Sequence, residues 1–177
     1  MINDYSERHY SFEGCFNFRD IGGYLNQDGK KVKRGLYFRA GRQDRMTNKD
    51  LAQLSDLKIS TQIDLRKQEE VSDQGRGPLE DMGADYINIA VIPEGGSDKL
   101  NKLVGDTGIS GKRYLGYLEF GPTSWLRLFR ILADQEIFHC IFWYSCNRYH
   151  FLPIISLRIS NCTFNEVSLS FCVKISE

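Results

Sequence analysis

Short β-type runs alternate with segments of helical period along the first 140 residues, and that alternation most narrows the folds open to this chain. Residues 35–40 (GLYFRA) are aromatic-rich and bounded by Gly35 and Gly41, the profile of a short strand. Thr47 followed by Asp50 makes a capping-box-like start, although the box prefers Glu or Gln at its second position. Leu51, Leu54 and Leu57 then supply one helical apolar face. Residues 59–65 (ISTQIDL) alternate and predict a strand, the charged residues 67–72 a short helix, and residues 86–92 (YINIAVI) a further strand. Residues 93–111 are glycine-rich and polar, which predicts a long loop or mobile cover, and residues 114–120 are compatible with a helix. Trp125, Leu128, Phe129 and Leu132 recur at i, i+3, i+4 and i+7 and predict an amphipathic helix. Residues 136–140 (EIFHC) read as a short apolar strand ending at a His-Cys pair. The sum is a layered α/β domain.

At 177 residues the chain is one domain by length, large enough to bury roughly two thirds of the surface its unfolded form exposes. Its 23 basic side chains equal its 23 acidic ones, so no global field favours nucleic acid or an anionic membrane. Residues 1–12 contain no apolar run, and no stretch reaches membrane-spanning length. These features predict a soluble cytoplasmic protein with no nucleic-acid partner. Five cysteines at irregular spacing (Cys15, Cys140, Cys146, Cys162 and Cys172) argue against a disulfide framework. One reactive thiol among buried bystanders is the simpler expectation.

Four motifs stand in order before that thiol: residues 17–24 (NFRDIGGY), residues 32–40 (VKRGLYFRA), residues 63–66 (IDLR) followed by Glu69 and Glu70, and His139-Cys140. Over residues 15–140 the chain resembles the bacterial and fungal tyrosine phosphatases of the dual-specificity-like group, whose signature loop reads His-Cys-x-x-Gly-Lys-Asp-Arg-(Thr/Ser)-Gly. The resemblance implies a cysteine-phosphatase-like layered domain, a central sheet flanked by helices, here with its C-terminal helical part truncated. It places Cys140 at the nucleophile position. Such a thiolate sits beneath converging backbone N–H groups at a helix N-terminus, which lower its pKa from about 8.5 into the range of roughly 3.5–7.5. An Arg six residues on then grips two phosphate oxygens with its planar fork. The resemblance also makes Arg19, Arg66 and His139 candidates for substrate contact. Asp20 and Asp64 are expected to shape the pocket floor as ion-pair partners. It implies no cofactor, and a substrate that is a phosphorylated protein or a phosphoinositide.

The pattern breaks after Cys140. Its sixth successor is Cys146, and the nearest Arg is Arg148. No glycine occurs among residues 141–147, and Phe142, Trp143 and Tyr144 would crowd an anion cradle that relies on small residues. The family's Gly-Lys-Asp-Arg is missing, and with it the guanidinium clamp and the Asp assigned as general acid. Reading the codons for Phe142-Trp143 one nucleotide later gives Phe or Ser followed by Gly, then an apolar run, as the family shows after its loop Arg. The expectation is therefore a phosphatase-like domain over residues 1–140 and a frameshifted, aberrant tail over residues 141–177. Impaired chemistry, poor solubility or a partly folded product should follow. The alternatives are a catalytically dead binding module or a non-functional truncated product. A metal site from His139, Cys140, Cys146, His150 and Cys162 is disfavoured, because their scatter lacks the short paired spacing that zinc prefers.

Overall fold

The computed structural model describes residues 6–24, 29–92, 95–104, 116, 119–133 and 140–143. Among the described residues five short strands form one sheet: β1 (Arg19–Asp20), β2 (Tyr37–Ala40), β3 (Thr61–Asp64), β4 (Asp85–Asn88) and β5 (Cys140–Trp143). Their spatial order is β1-β2-β5-β3-β4, with β1 antiparallel to β2 and the other neighbours parallel. Helices α1 (Asn48–Asp56), α2 (Gln68–Gln74), α3 (Gly96–Val104) and α4 (Pro122–Ala133) lie between them in sequence. The expected layered α/β domain with a central sheet is the observed one.

Two cores mark the two faces of the sheet. On one, Phe38 and Ala40 of β2 pack with Phe18, Cys15, Leu79 and the α1 residue Leu54, all at most 2 % exposed. Tyr10, Phe12, Phe18 and Phe38 form an aromatic cluster there, the Phe12 and Phe18 rings 4.6 Å apart and Tyr10 edge-on to Phe38. Each fully buried ring of this kind stabilises the fold by about 1.5–3 kcal/mol. On the other face, Ile63 of β3 and Ile89 meet Leu128 of α4, with Trp125, Ile131 and Leu132 around them. The expected periodic face of α4 is thus the one that packs.

Three elements differ from the sequence expectation. Helix α3 occupies part of the segment read as a loop. That segment is glycine-rich and polar, yet Leu100, Leu103 and Val104 carry helical spacing and Leu100 is 1 % exposed. Strand β4 stops at Asn88 rather than Ile92, although the Ile89 amide still donates to the Asp64 carbonyl at 2.8 Å. Strand β5 begins at Cys140, where the expected strand ended, and runs into residues to which the sequence assigned no element. Cys-Ile-Phe-Trp suits a central parallel strand, which is covered on both sides and tolerates a continuous apolar run. Residues 136–139 lie outside the described residues, as do the further strands expected at 154–159 and 167–173. Of residues 114–120, only Gly116, Glu119 and Phe120 are described, all helical.

Candidate active site

The register of the sheet fixes what stands at each end of its strands. Ala40, Trp143, Asp64 and Asn88 share the row at the carboxyl ends, whereas Tyr37, Cys140, Thr61 and Asp85 share the row at the amino ends. In open α/β sheets, ligands bind outside the carboxyl ends. Cys140 therefore starts β5 about 10 Å along the strand from the row of Asp64, at the usual rise per residue.

Asp64 closes β3 and Arg66 follows two residues later, both with fully buried side chains. Arg66 Nε donates to Asp64 Oδ1 at 2.9 Å and Nη2 to Oδ2 at 2.6 Å, a planar two-point pairing. The remaining N–H groups are directed inward as well. Nη2 also donates to the Gly75 carbonyl at 2.7 Å, and Nη1 faces Gln74 Oε1 at 3.3 Å and the Glu70 carbonyl at 3.5 Å. Helix α2 folds back to bring these acceptors round, its first turn tied by Glu70, which accepts from the Lys67 amide at 3.1 Å. Arg66 was expected to contact substrate. Its guanidinium is instead enclosed on all sides by protein acceptors. Asp64 is its ion-pair partner.

Two residues that the sequence reading passed over complete this cluster. The Tyr86 hydroxyl donates to Asp64 Oδ2 at 2.9 Å. Burial raises its pKa, and the hydrogen bond to Asp64 and that carboxylate's charge raise it further. Asn88 Nδ2 donates to the carbonyls of both Asp64 and Arg66, at 3.0 and 2.9 Å, so one amide holds the turn between them. The only signal for either was a polar tip within a predicted strand.

Asp20 and Arg19 lie in β1, at the other side of the sheet from Asp64. Asp20 is 4 % exposed, and its two oxygens accept from the amides of Gly22 and Gly35, each at 2.7 Å. It pins two loops where an ion-pair lattice was expected. Arg19 is 5 % exposed and donates through Nη1 to the carbonyl and the side-chain oxygen of Asn17. His139 lies outside the described residues, as do Cys146, His150 and Cys162. The described candidates are thus divided among separate local networks.

Asp50 and Cys15 show how the segment before β1 is held. Asp50 is the third residue of α1, and its carboxylate accepts from Thr47 N at 3.0 Å, completing the predicted cap. It also accepts from the amides of Glu13 and Gly14, both at 2.8 Å. Burial pushes against its ionised form, but the Thr47, Glu13 and Gly14 amides outweigh burial and hold the carboxyl below its ordinary pKa. The Cys15 thiol, beside this anchor, is pushed up to about 12, chiefly by burial. It has the character of a bystander, as expected for the cysteines other than the nucleophile.

A model of the tyrosine phosphatase family matches residues 10–142, which is most of the chain and includes every element from β1 to the start of β5. The chain belongs to the tyrosine phosphatase family. Comparison with curated proteins gives no match. Within a tyrosine phosphatase, the α/β sheet described above is the scaffold, and the matched segment contains the Asp64–Arg66 turn, the Asp20 pin and Cys140. Among the described residues no helix is long and apolar enough to cross a membrane.

Proposed function

We propose that this chain is a phosphoric monoester hydrolase by descent, with Cys140 at the position of the phosphorus-attacking thiol, and that hydrolysis is blocked in this particular sequence. Membership of the tyrosine phosphatase family supports phosphatase chemistry in general and phosphorylated substrates as its class. The observation that carries the block is the residue order after Cys140: Cys146 stands where the clamping Arg belongs, and no glycine lies between Cys140 and Arg148. Without the clamp, neither the phosphate nor its transition-state charge is held, and without the loop Asp no acid protonates the leaving oxygen. The register adds support, since a thiol at the amino end of β5 is remote from the end where α/β sites assemble. Arg19 and Arg66 do not replace the clamp, being engaged with Asn17 and with Asp64 and Gly75.

A shifted reading frame from Ile141 onward accounts for the break, and residues 141–177 are then an aberrant tail appended to a phosphatase-like domain. The test has two arms. Hydrolysis of para-nitrophenyl phosphate by the whole chain should not exceed that of Cys140→Ser, and thiol-dependent turnover would refute the block. The DNA around the codons for Cys140 to Arg148, read one nucleotide later, should encode an apolar helix-forming run. An early stop codon in that frame would refute the frame hypothesis.

A further inference from the structure

Among the described residues the most exposed large apolar side chain is Phe16, at 80 %, followed by Met82 at 40 %. Phe16 is held out by a fixed turn. Cys15 before it and Phe18 after it are both buried in the core. Its carbonyl accepts from the Gly41 amide at 3.0 Å, and Asn17 takes the left-handed region at φ 60° while its side-chain oxygen accepts from Arg19 Nη1. Gly14, two residues earlier, is packed as closely on Arg45, whose carbonyl oxygen would lie 1.8 Å from a Cβ there. The turn therefore rests on the loop 41–46 at two points. A lone exposed ring is common on protein surfaces, but this one has a cleft for a neighbour.

The same loop, through Asp44 and Met46, lines a cleft of about 260 Å³ to which Leu51, Pro78 and Asp81 also contribute. Met46, Leu51 and Pro78 give it apolar surface, and a cavity of about 150 Å³ already accepts benzene, so a benzyl side chain fits the space. Gly41, against Phe16, is five residues from Met46 in the cleft, at most roughly 18 Å of extended chain. One interface of ordinary size can span both features. Met82, the other exposed apolar side chain, is the chain neighbour of Asp81. The charges at the two features are opposite. Arg45 is 77 % exposed, and its one ion pair among the described residues is a loose 3.9 Å approach to Asp44, which Arg42 already bridges at 2.7 Å. Asp81 is exposed and has no ion-pair partner among the described residues. An apolar knob, an apolar cleft and an uncommitted charge of each sign are both halves of one contact, and a twofold axis brings the same patch of two copies together. We propose that two copies of this chain pair through this surface, Phe16 of each entering the cleft of the other and Arg45 of each facing Asp81. Two buried rings and two exposed ion pairs make a weak, reversible pair rather than an obligate dimer.

The test is sedimentation velocity of the whole chain across the micromolar range, with circular dichroism to confirm that each variant folds as the parent does. A reversible monomer–dimer step is expected. Phe16→Ser changes only an exposed ring and should weaken dimerisation about tenfold or more. Asp81→Lys and Arg45→Glu should each weaken it, and the two changes in one chain should restore it, because the charges are then exchanged on both copies. A monomer at every concentration would overturn the proposal and leave the cleft to a small molecule or a different protein. Association that Phe16→Ser leaves unchanged would overturn it as well, placing the contact elsewhere in the chain. So would growth past a dimer, or a double charge change no better than the single ones. Cys140 takes no part in this contact, so the outcome is independent of the reading of its chemistry.

Discussion

Arg66 closes on Asp64 two residues before it, with Nη2 2.6 Å from Oδ2 and neither side chain open to solvent. The pair lies at the carboxyl end of β3, and every N–H group of the guanidinium faces a protein acceptor. Its task in this chain is to hold α2 and the following loop against the sheet.

Breaking the pair from one side should therefore cost stability rather than ligand affinity. Arg66→Met alone leaves a buried carboxylate unpaired, at a cost of about 3–5 kcal/mol. Replacing both, as Asp64→Leu with Arg66→Met, should cost less than the sum of the single changes. Urea denaturation of the three variants checks this, and strictly additive losses would contradict it.

Asp50 makes the fold sensitive to acid. Its pKa is lowered in the folded state, so its contribution is fully present above the unfolded value of about 3.9 and is lost as the pH falls through the folded one. Asp50→Asn should be less stable than the parent at pH 7, by about 1–3 kcal/mol for amides left without their acceptor. The gap should narrow below about pH 4. Denaturant midpoints of both chains across pH 3–7 would reveal a gap that fails to close.

Cys15 should escape alkylation. With its thiol pushed up to about 12, only about one molecule in ten thousand carries the thiolate at pH 8, and the sulfur is buried. Iodoacetamide should leave the Cys15 peptide unmodified in native protein and modify it fully in urea, as read by mass spectrometry. Rapid native labelling would mean that the 14–17 turn opens readily.

Two glycines should respond to alanine for opposite reasons. A Cβ at Gly14 would lie 1.8 Å from the Arg45 carbonyl oxygen, so the loops must separate and the cost should reach about 3 kcal/mol or more. At Gly35 nothing lies within 4 Å, and only the positive φ of 77° resists substitution, at about 1–2 kcal/mol. Thermal melts of the two variants should rank them in that order.

The elements that one face of a periodic segment defines were legible in the sequence. The cap at Thr47, the Leu54 face of α1 and the Leu128 face of α4 stand where spacing put them. What spacing does not encode is who meets whom across the chain. Asp50 was visible as a cap, yet its bonds to Glu13 and Gly14 span 37 and 36 residues and leave no local trace. Arg66 read as a substrate contact because the acceptors that enclose it, Gln74 and Gly75, arrive only once α2 has turned back. Tyr86 and Asn88 could be assigned to a strand, but their pairing with the Asp64 turn depends on a register that is set by tertiary structure. Strand β5 runs past Cys140 because the apolar quartet Cys-Ile-Phe-Trp fits the central slot, whereas the sequence reading assigned nothing beyond the His-Cys pair.

The last of the described strands sits in the middle of the sheet, joining β2 on one side to β3 on the other. During synthesis, at about 5–20 residues per second, β1 with β2 and β3 with β4 emerge as separate two-stranded ribbons, each marginal by itself and each presenting an unpaired edge. Among the described strands, none pairs the two ribbons until residues 140–143 are made. The break that we propose after Cys140 thus falls where the nascent chain completes its sheet, and how well Ile-Phe-Trp fills the central slot decides between closure and aggregation.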